Sequence, residues 1–174
     1  MEGSVVLMAI TKSLKMLHLK CPFRRETFQP KVVRTLIEKL CEGRTLNLFS
    51  GNTKLNINEI RVDIDPTMAA DFHVDAYSFI TQYKSPPFET VLLDPPESYR
   101  KTMDTFYSKV MSRFNALKNE IPGVLTKTGL VITIGHQSIS MGTSRNFHLE
   151  RLVIVSHSGA IPDTLISIER RIKT

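Results

Sequence analysis

Residues Thr90 to Tyr99 read TVLLDPPESY, an apolar run that stops at Asp94 and is followed at once by two prolines. A short unbroken apolar run of this kind fits a strand buried on both faces of a parallel sheet. The prolines mark its end: neither can donate an N–H to a ladder, and each holds its backbone extended. Asp94 is thereby predicted at the carboxyl end of a strand, the edge at which open α/β sheets bind ligands. A rigid turn with no further role is the plain alternative for an isolated Asp-Pro-Pro, so the surrounding chain has to decide.

Going outward on the N-terminal side, Thr45–Phe49 in TLNLFSGNTKL reads as a second buried strand, turning at Ser50-Gly51-Asn52. Small residues there let backbone N–H groups come close to a ligand. Asn56–Asp65, NINEIRVDID, reads as a third strand ending in Asp63 and Asp65, and ADFHVDAYSFI brings Asp71 and Asp75 soon after. Five carboxylates between Glu59 and Asp75 face one arginine. Acids clustered at strand ends suit hydroxyl groups or a cationic ligand, although any of them can be a helix cap. Further upstream, Val32, Val33, Leu36, Ile37 and Leu40 fall at helical spacing between Pro30 and Gly43, positions that suit a first turn and a C-terminal stop. The loop before that helix, CPFRRETFQP, interleaves Arg24, Arg25 and Thr27 with Phe23 and Phe28. Those aromatics are most simply core plugs.

On the other side, Met103, Phe106, Tyr107, Val110, Met111, Phe114 and Leu117 recur at three- and four-residue steps, a core-facing helix that Pro122-Gly123 should close. GLVITIG (129–135) is a further buried strand. The loop HQSISMGTSRNF offers His136, Gln137, Ser138 and Arg145 to a site, and HLERLVIVSHSG and DTLISIERRIKT read as a closing hairpin-like pair.

Composition limits the classes. A hydrophobic share of 41% with 23% charged residues is that of a globular chain able to bury a core, which argues against wholesale disorder. Its 174 residues, with no repeat or linker, read as one domain, 1–174, with a basic segment 1–44 packing on the core. No apolar run reaches the roughly 20 residues needed to span a bilayer, so no membrane partner is expected. The opening lacks a basic n-region and reads as part of the fold rather than a signal peptide. Cys21 and Cys41 have no partner at ligand spacing, which points to a reducing, cytoplasmic setting and away from bound metal. Residues 1–44 hold nine Lys/Arg against four Asp/Glu and so carry five of the six net positive charges. Such a segment can neutralise phosphates, or be solvated helix surface.

Taken in order, LNLFSG, VDID, DFHVDA, VLLDPP and GLVITIG resemble the motif series of class I S-adenosylmethionine-dependent methyltransferases, from about Phe23 onward. Within that class, Asp-Pro-Pro motifs resemble those of amino-methyltransferases acting on adenine or cytosine. The resemblance implies an α/β fold: an open, mostly parallel Rossmann-like methyltransferase sheet with a C-terminal antiparallel strand pair. It implies S-adenosyl-L-methionine as cofactor, with Phe28, Asn47, Phe49, Gly51, Asp63 and Asp75 around it. Asp63 corresponds to the acid that takes both ribose hydroxyls, Asp75 to the position beside the adenine amino group, and Asn47 stands where most members have Asp. Asp94, Pro95, Pro96, Glu97 and Tyr99 form the implied catalytic set. Asp94 and the Pro95 carbonyl would accept hydrogen bonds from a target amine. Glu97 stands where an aromatic that stacks on the base is usual, with Tyr99 two residues later as its substitute. The implied activity is methyl transfer to an exocyclic amino nitrogen of a base in DNA or RNA, with nucleic acid as the partner. The alternatives are an inactive binding module of the same fold, or a methyltransferase acting on a protein or small molecule. The interval from Asn47 to Asp63 is shorter than the roughly 20 residues typical of strand, turn, helix and acid, which predicts a shortened first helix. Lack of G-x-G-x-x-G argues against a nicotinamide enzyme. Both a monomer and a homodimer are compatible with the sequence.

Overall fold

In the computed structural model, residues 14–24, 26–96 and 113–173 are described. The expected helix residues Met103 to Met111, together with Glu97, Tyr99 and Arg25, lie outside them. Eight strands form one sheet: β1 Lys15–Lys20, β2 Thr45–Leu48, β3 Glu59–Asp63, β4 Phe72–His73, β5 Phe88–Leu93, β6 Leu125–Gly135, β7 Phe147–Ser156 and β8 Thr164–Arg171. Their spatial order is β1-β7-β8-β6-β5-β2-β3-β4. Every pairing is parallel except those of β8, which runs against both β6 and β7. From β2 the chain builds outward through β3 and β4, then returns to β5 on the other side of β2. The carboxyl ends of β2 and β5 therefore flank the point where strand order reverses.

Both faces are covered, because alternate residues of the central strands are apolar in both directions. Leu46, Leu48, Val62, Val91, Leu93 and Val131 enter one core with Ile80 of α2 (Ala76–Gln82) and Phe114, Leu117 and Ile121 of α3 (Arg113–Val124). Leu92, Ile132, Ile134, Ile166 and Ile168 enter the other with Val33, Ile37 and Leu40 of α1 (Lys31–Leu40). Val32, expected on that helix stripe, is 43% exposed; Val33 holds the inward position.

Three elements depart from the sequence expectations. The α3 helix continues through Pro122 to Val124. The Arg171 guanidinium donates to the carbonyls of Pro122 and Leu125, each at 2.9 Å, and so takes up acceptors left at the helix end. Strand β6 begins at Leu125, four residues early, with a register irregularity between Phe88 and Thr90 in its partner. A Cβ on Gly129 would lie 2.9 Å from the Glu89 carbonyl, so the backbones approach there only because Gly129 has no side chain. The opening residues contribute β1, a parallel edge strand on β7, which the uneven KMLHLK pattern did not announce.

The closing antiparallel pair β7–β8 is as expected. The shortened first helix expected between β2 and β3 is absent: residues 49–58 form no helix, the ten residues between the strands being held by side-chain bonds from Asp63, Arg61 and Glu59 instead. Among the described residues no helix is long and apolar enough to cross a membrane. Cys21 and Cys41 are free thiols, and burial pushes the Cys41 thiol up to about 12.

Candidate active site at the carboxyl rim of the sheet

Strand register brings the central residues together. Leu48 pairs with Val62 on one side and Leu93 on the other, so the residues that follow, Asp63, Phe49 and Asp94, stand in a row at the rim. With strands about 4.8 Å apart, Asp63 and Asp94 flank residue 49 at roughly 10 Å from each other. Asp94 is half-buried, Pro95 buried and Pro96 exposed.

The loop after β2 is held by side chains in place of a helix. Asp63 accepts the N–H of Gly51 at 2.9 Å on one carboxylate oxygen and the N–H of Asp65 at 3.0 Å on the other. Arg61 donates to the Gly51 carbonyl at 2.8 Å. Asn52 accepts from the Ala69 N–H, joining the loop to the segment after β3. Both polar groups of Gly51 are therefore fixed by strand β3. Phe49 has φ +64 and Gly51 φ +56, so the turn keeps two left-handed residues although only one is glycine. Phe49 packs against the first core. The turn leading from Asp63 is closed by Asp65, whose carboxyl is held below its ordinary range, chiefly by the Thr67 hydroxyl.

Three other predicted site residues make contacts within the protein, Asp75 among them at the same rim, two residues beyond the His73 that pairs with Asp63. Asn47 is fully buried and donates to Glu59 at 2.9 Å; its side chain stays inside the sheet rather than at the rim. Phe28 is 3% exposed and packs with the second core, the plug role open to it from the sequence. Asp75 caps α2, accepting the Ser78 N–H at 3.1 Å. Its carboxylate thus has a structural use, and Asp75→Ala should cost about 1 kcal/mol of stability in urea unfolding. If Asp75 also holds an adenine amino group, the same variant weakens S-adenosylmethionine binding. A cap alone leaves that affinity unchanged.

Sequence reasoning missed the polar contacts that brace the loops running to and from this rim. Glu59, with a side chain 1% exposed, accepts from Asn47 and from the Leu55 N–H, and lies 3.7 Å from the Arg61 guanidinium. Glu26 accepts from the Thr53 hydroxyl at 2.8 Å, tying the RRETFQP loop to the Gly51 loop. On the far side of the rim, β5–β6 register puts the start of the HQSISMG loop beside the Asp-Pro-Pro segment. Glu169 of β8, fully buried, accepts the N–H groups of Ser140, Met141 and Gly142 at 2.8 to 2.9 Å. The Lys118 ammonium donates to the Ser140 carbonyl at 3.0 Å. His136, Gln137, Ser138 and Ile139 are exposed on the segment so anchored. The available signal was Glu169 inside the apolar alternation of DTLISIERR, where a solvent-facing role is the simpler reading. Among the described residues no group of three or more His, Cys, Asp or Glu could hold a metal ion.

An open sheet with this strand order, its one antiparallel strand at β8 and its acidic strand ends on one rim, has the class I methyltransferase fold. The chain is similar to TrmN from Thermus thermophilus, with a TM-score of 0.56 and 14% identity over 81% of this chain. It spans about half (48%) of that protein's length. It is also similar to the N-methyltransferase NodS from Bradyrhizobium japonicum WM9 (TM-score 0.55, 12% identity, 82% of this chain and 96% of NodS). A third similar structure is the Pyrococcus abyssi tRNA (uracil-54, C5)-methyltransferase in complex with S-adenosyl-L-homocysteine. There the TM-score is 0.50 and identity 14%, over 86% of this chain and 40% of that one. No family sequence model matches the chain, and no curated protein matches it in sequence.

Proposed function

We propose that the chain is an S-adenosylmethionine-dependent methyltransferase acting on an exocyclic amino nitrogen of a nucleic-acid base. The observation behind this reading is the row Asp63, Phe49, Asp94 on three adjacent strands at the switch point. The residues present suit the cofactor. A Cβ built on Gly51 meets nothing within 4 Å, so open space lies beside its backbone. A carboxylate offers about four acceptor sites, and the two backbone N–H groups on Asp63 leave capacity for a ribose diol. Asp63 would hold the cofactor, with Gly51 leaving room beside it; the cofactor's sulfonium is itself a strong methyl donor when bound.

The protein's part is positioning. Asp94 and the Pro95 carbonyl accept the N–H bonds of the target amine and so turn its lone pair toward the donor; two prolines keep that carbonyl from swinging. A base stacked in a duplex cannot reach such a rim, so the substrate is single-stranded or flipped. Two similar structures agree with methyl transfer to nitrogen and with an RNA substrate respectively: the N-methyltransferase NodS and a tRNA (uracil-54, C5)-methyltransferase. Incubation with labelled S-adenosylmethionine and separate DNA, tRNA, rRNA and protein pools tests this. Label in adenine or cytosine amino groups is the expected outcome; label only in protein, or nowhere, refutes it.

A second reading, a noncatalytic module of this fold, draws on the bonded Gly51 N–H and the helix-free loop 49–58. Under that reading S-adenosylmethionine neither binds nor is consumed.

A further inference from the structure

We propose that the groove between α1 and the loop 49–58 is a binding site for the phosphate backbone of a single-stranded nucleic acid. The proposal rests on the nucleic-acid substrate argued above and adds where the strand is held. The groove is open to solvent, has a volume of about 480 Å³ and is walled by Lys31, Arg34, Thr35 and Glu38 on one side and Lys54, Leu55 and Asn56 on the other. That volume is within the roughly 300–1,000 Å³ of ordinary ligand sites.

Its origin is the missing helix. A crossover between parallel strands usually lays a helix against the sheet, whereas residues 49–58 have none. Leu55, 2% exposed, is the loop's buried contribution to the second core, and the flank of α1 beside it has no helix over it, with Lys31 exposed and Arg34, Thr35 and Glu38 half-buried. Lys31, Arg34, Thr35 and Glu38 follow the i, i+3, i+4, i+7 spacing of one helix face. These walls do not suit an apolar partner, since their one apolar side chain is already buried. They suit an anion: two ammonium groups, a guanidinium, a hydroxyl and an amide, against one carboxylate. That carboxylate, on Glu38, already accepts the Asn56 N–H at 2.8 Å. Position agrees with chemistry. Lys31 opens α1 directly after the loop that Glu26 ties to Thr53, so the groove starts beside the rim and leads away from it. A strand presenting a base to Asp94 has its neighbouring phosphates within reach of this track.

The test measures binding of fluorescently labelled, mixed-sequence single-stranded RNA and DNA of about 20 nucleotides by anisotropy across a potassium chloride series. It compares the full chain, K31A/R34A/K54A and the control K39A, whose lysine is on α1 outside the groove. Each phosphate neutralised on a single strand contributes about 0.7 to the salt slope. The triple variant should therefore bind about tenfold or more weakly, with a slope shallower by about 2, while K39A matches the full chain. Methylation of an isolated nucleoside should be unchanged by all three substitutions. Unchanged affinity and slope in the triple variant, equal loss in K39A, no oligonucleotide binding by the full chain, or binding of a polyglutamate peptide in preference to the oligonucleotides would each overturn the proposal. Titration of the same preparations with S-adenosylmethionine reports separately on the methyltransferase reading: absence of binding there fails that reading, and anisotropy still decides the groove.

Discussion

Asp94→Ala should lower the rate of methyl transfer by about 10²- to 10³-fold, the size of effect seen when one positioned polar group at a reacting centre is removed. Asp94 is half-buried at the end of β5, beyond the fully buried Val91, Leu92 and Leu93. Its loss leaves the packed part of the strand in place. Affinity for S-adenosylmethionine should stay within a few-fold, because Asp63 belongs to β3, two strands away, and Gly51 to the loop after β2. Single-turnover kinetics with saturating cofactor separates the two effects. A variant that transfers methyl groups at the parent rate would remove Asp94 from the chemistry.

Glu169→Ala should be the most destabilising of the substitutions considered. The carboxylate is fully buried and accepts three consecutive backbone N–H groups. Hydrogen bonds to a charged acceptor contribute about 1.5–3 kcal/mol each, and donors left unpaired in the interior add their own penalty. Partial entry of water offsets some of this, so a net loss of about 3–5 kcal/mol is expected, or roughly a 10 °C fall in Tm for a chain of this size. Lys118, 6% exposed, would lose the ordered Ser140 carbonyl it donates to, so a second anchor of the same segment loosens with the first. Urea unfolding checks the figure. A loss below about 1 kcal/mol would mean the loop is held by its other contacts, Met141 in the first core among them.

Most of the rim was legible in the sequence because strand ends announce themselves. Asp-Pro-Pro ends β5, Ser-Gly-Asn follows β2 and Asp63 ends β3, each at a change from apolar run to turn chemistry. Register does the rest, since parallel neighbours that start in step end in step. Asn47, Phe28 and Asp75 were drawn to the site by motif position, but their side chains meet Glu59, the second core and the α2 N-terminus. Motif position specifies the backbone; the direction of a side chain depends on pleat and packing. The same limit hid Glu169, which is buried and accepts backbone N–H groups 27 to 29 residues away, and the inward turn of Glu59 and Arg61, whose partners lie closer in sequence. Neither β1 nor the length of β6 could be read, because edge strands lack a clear two-residue pattern and Gly129 looks like a stop until a partner backbone lies against it.

Isothermal titration with S-adenosylmethionine addresses the central claim most directly. One site per chain is predicted, weakened at least tenfold by Asp63→Ala, provided that variant's folding is verified in parallel. Absence of binding by the full chain, or equal affinity in the folded Asp63→Ala protein, would contradict the assignment of this rim.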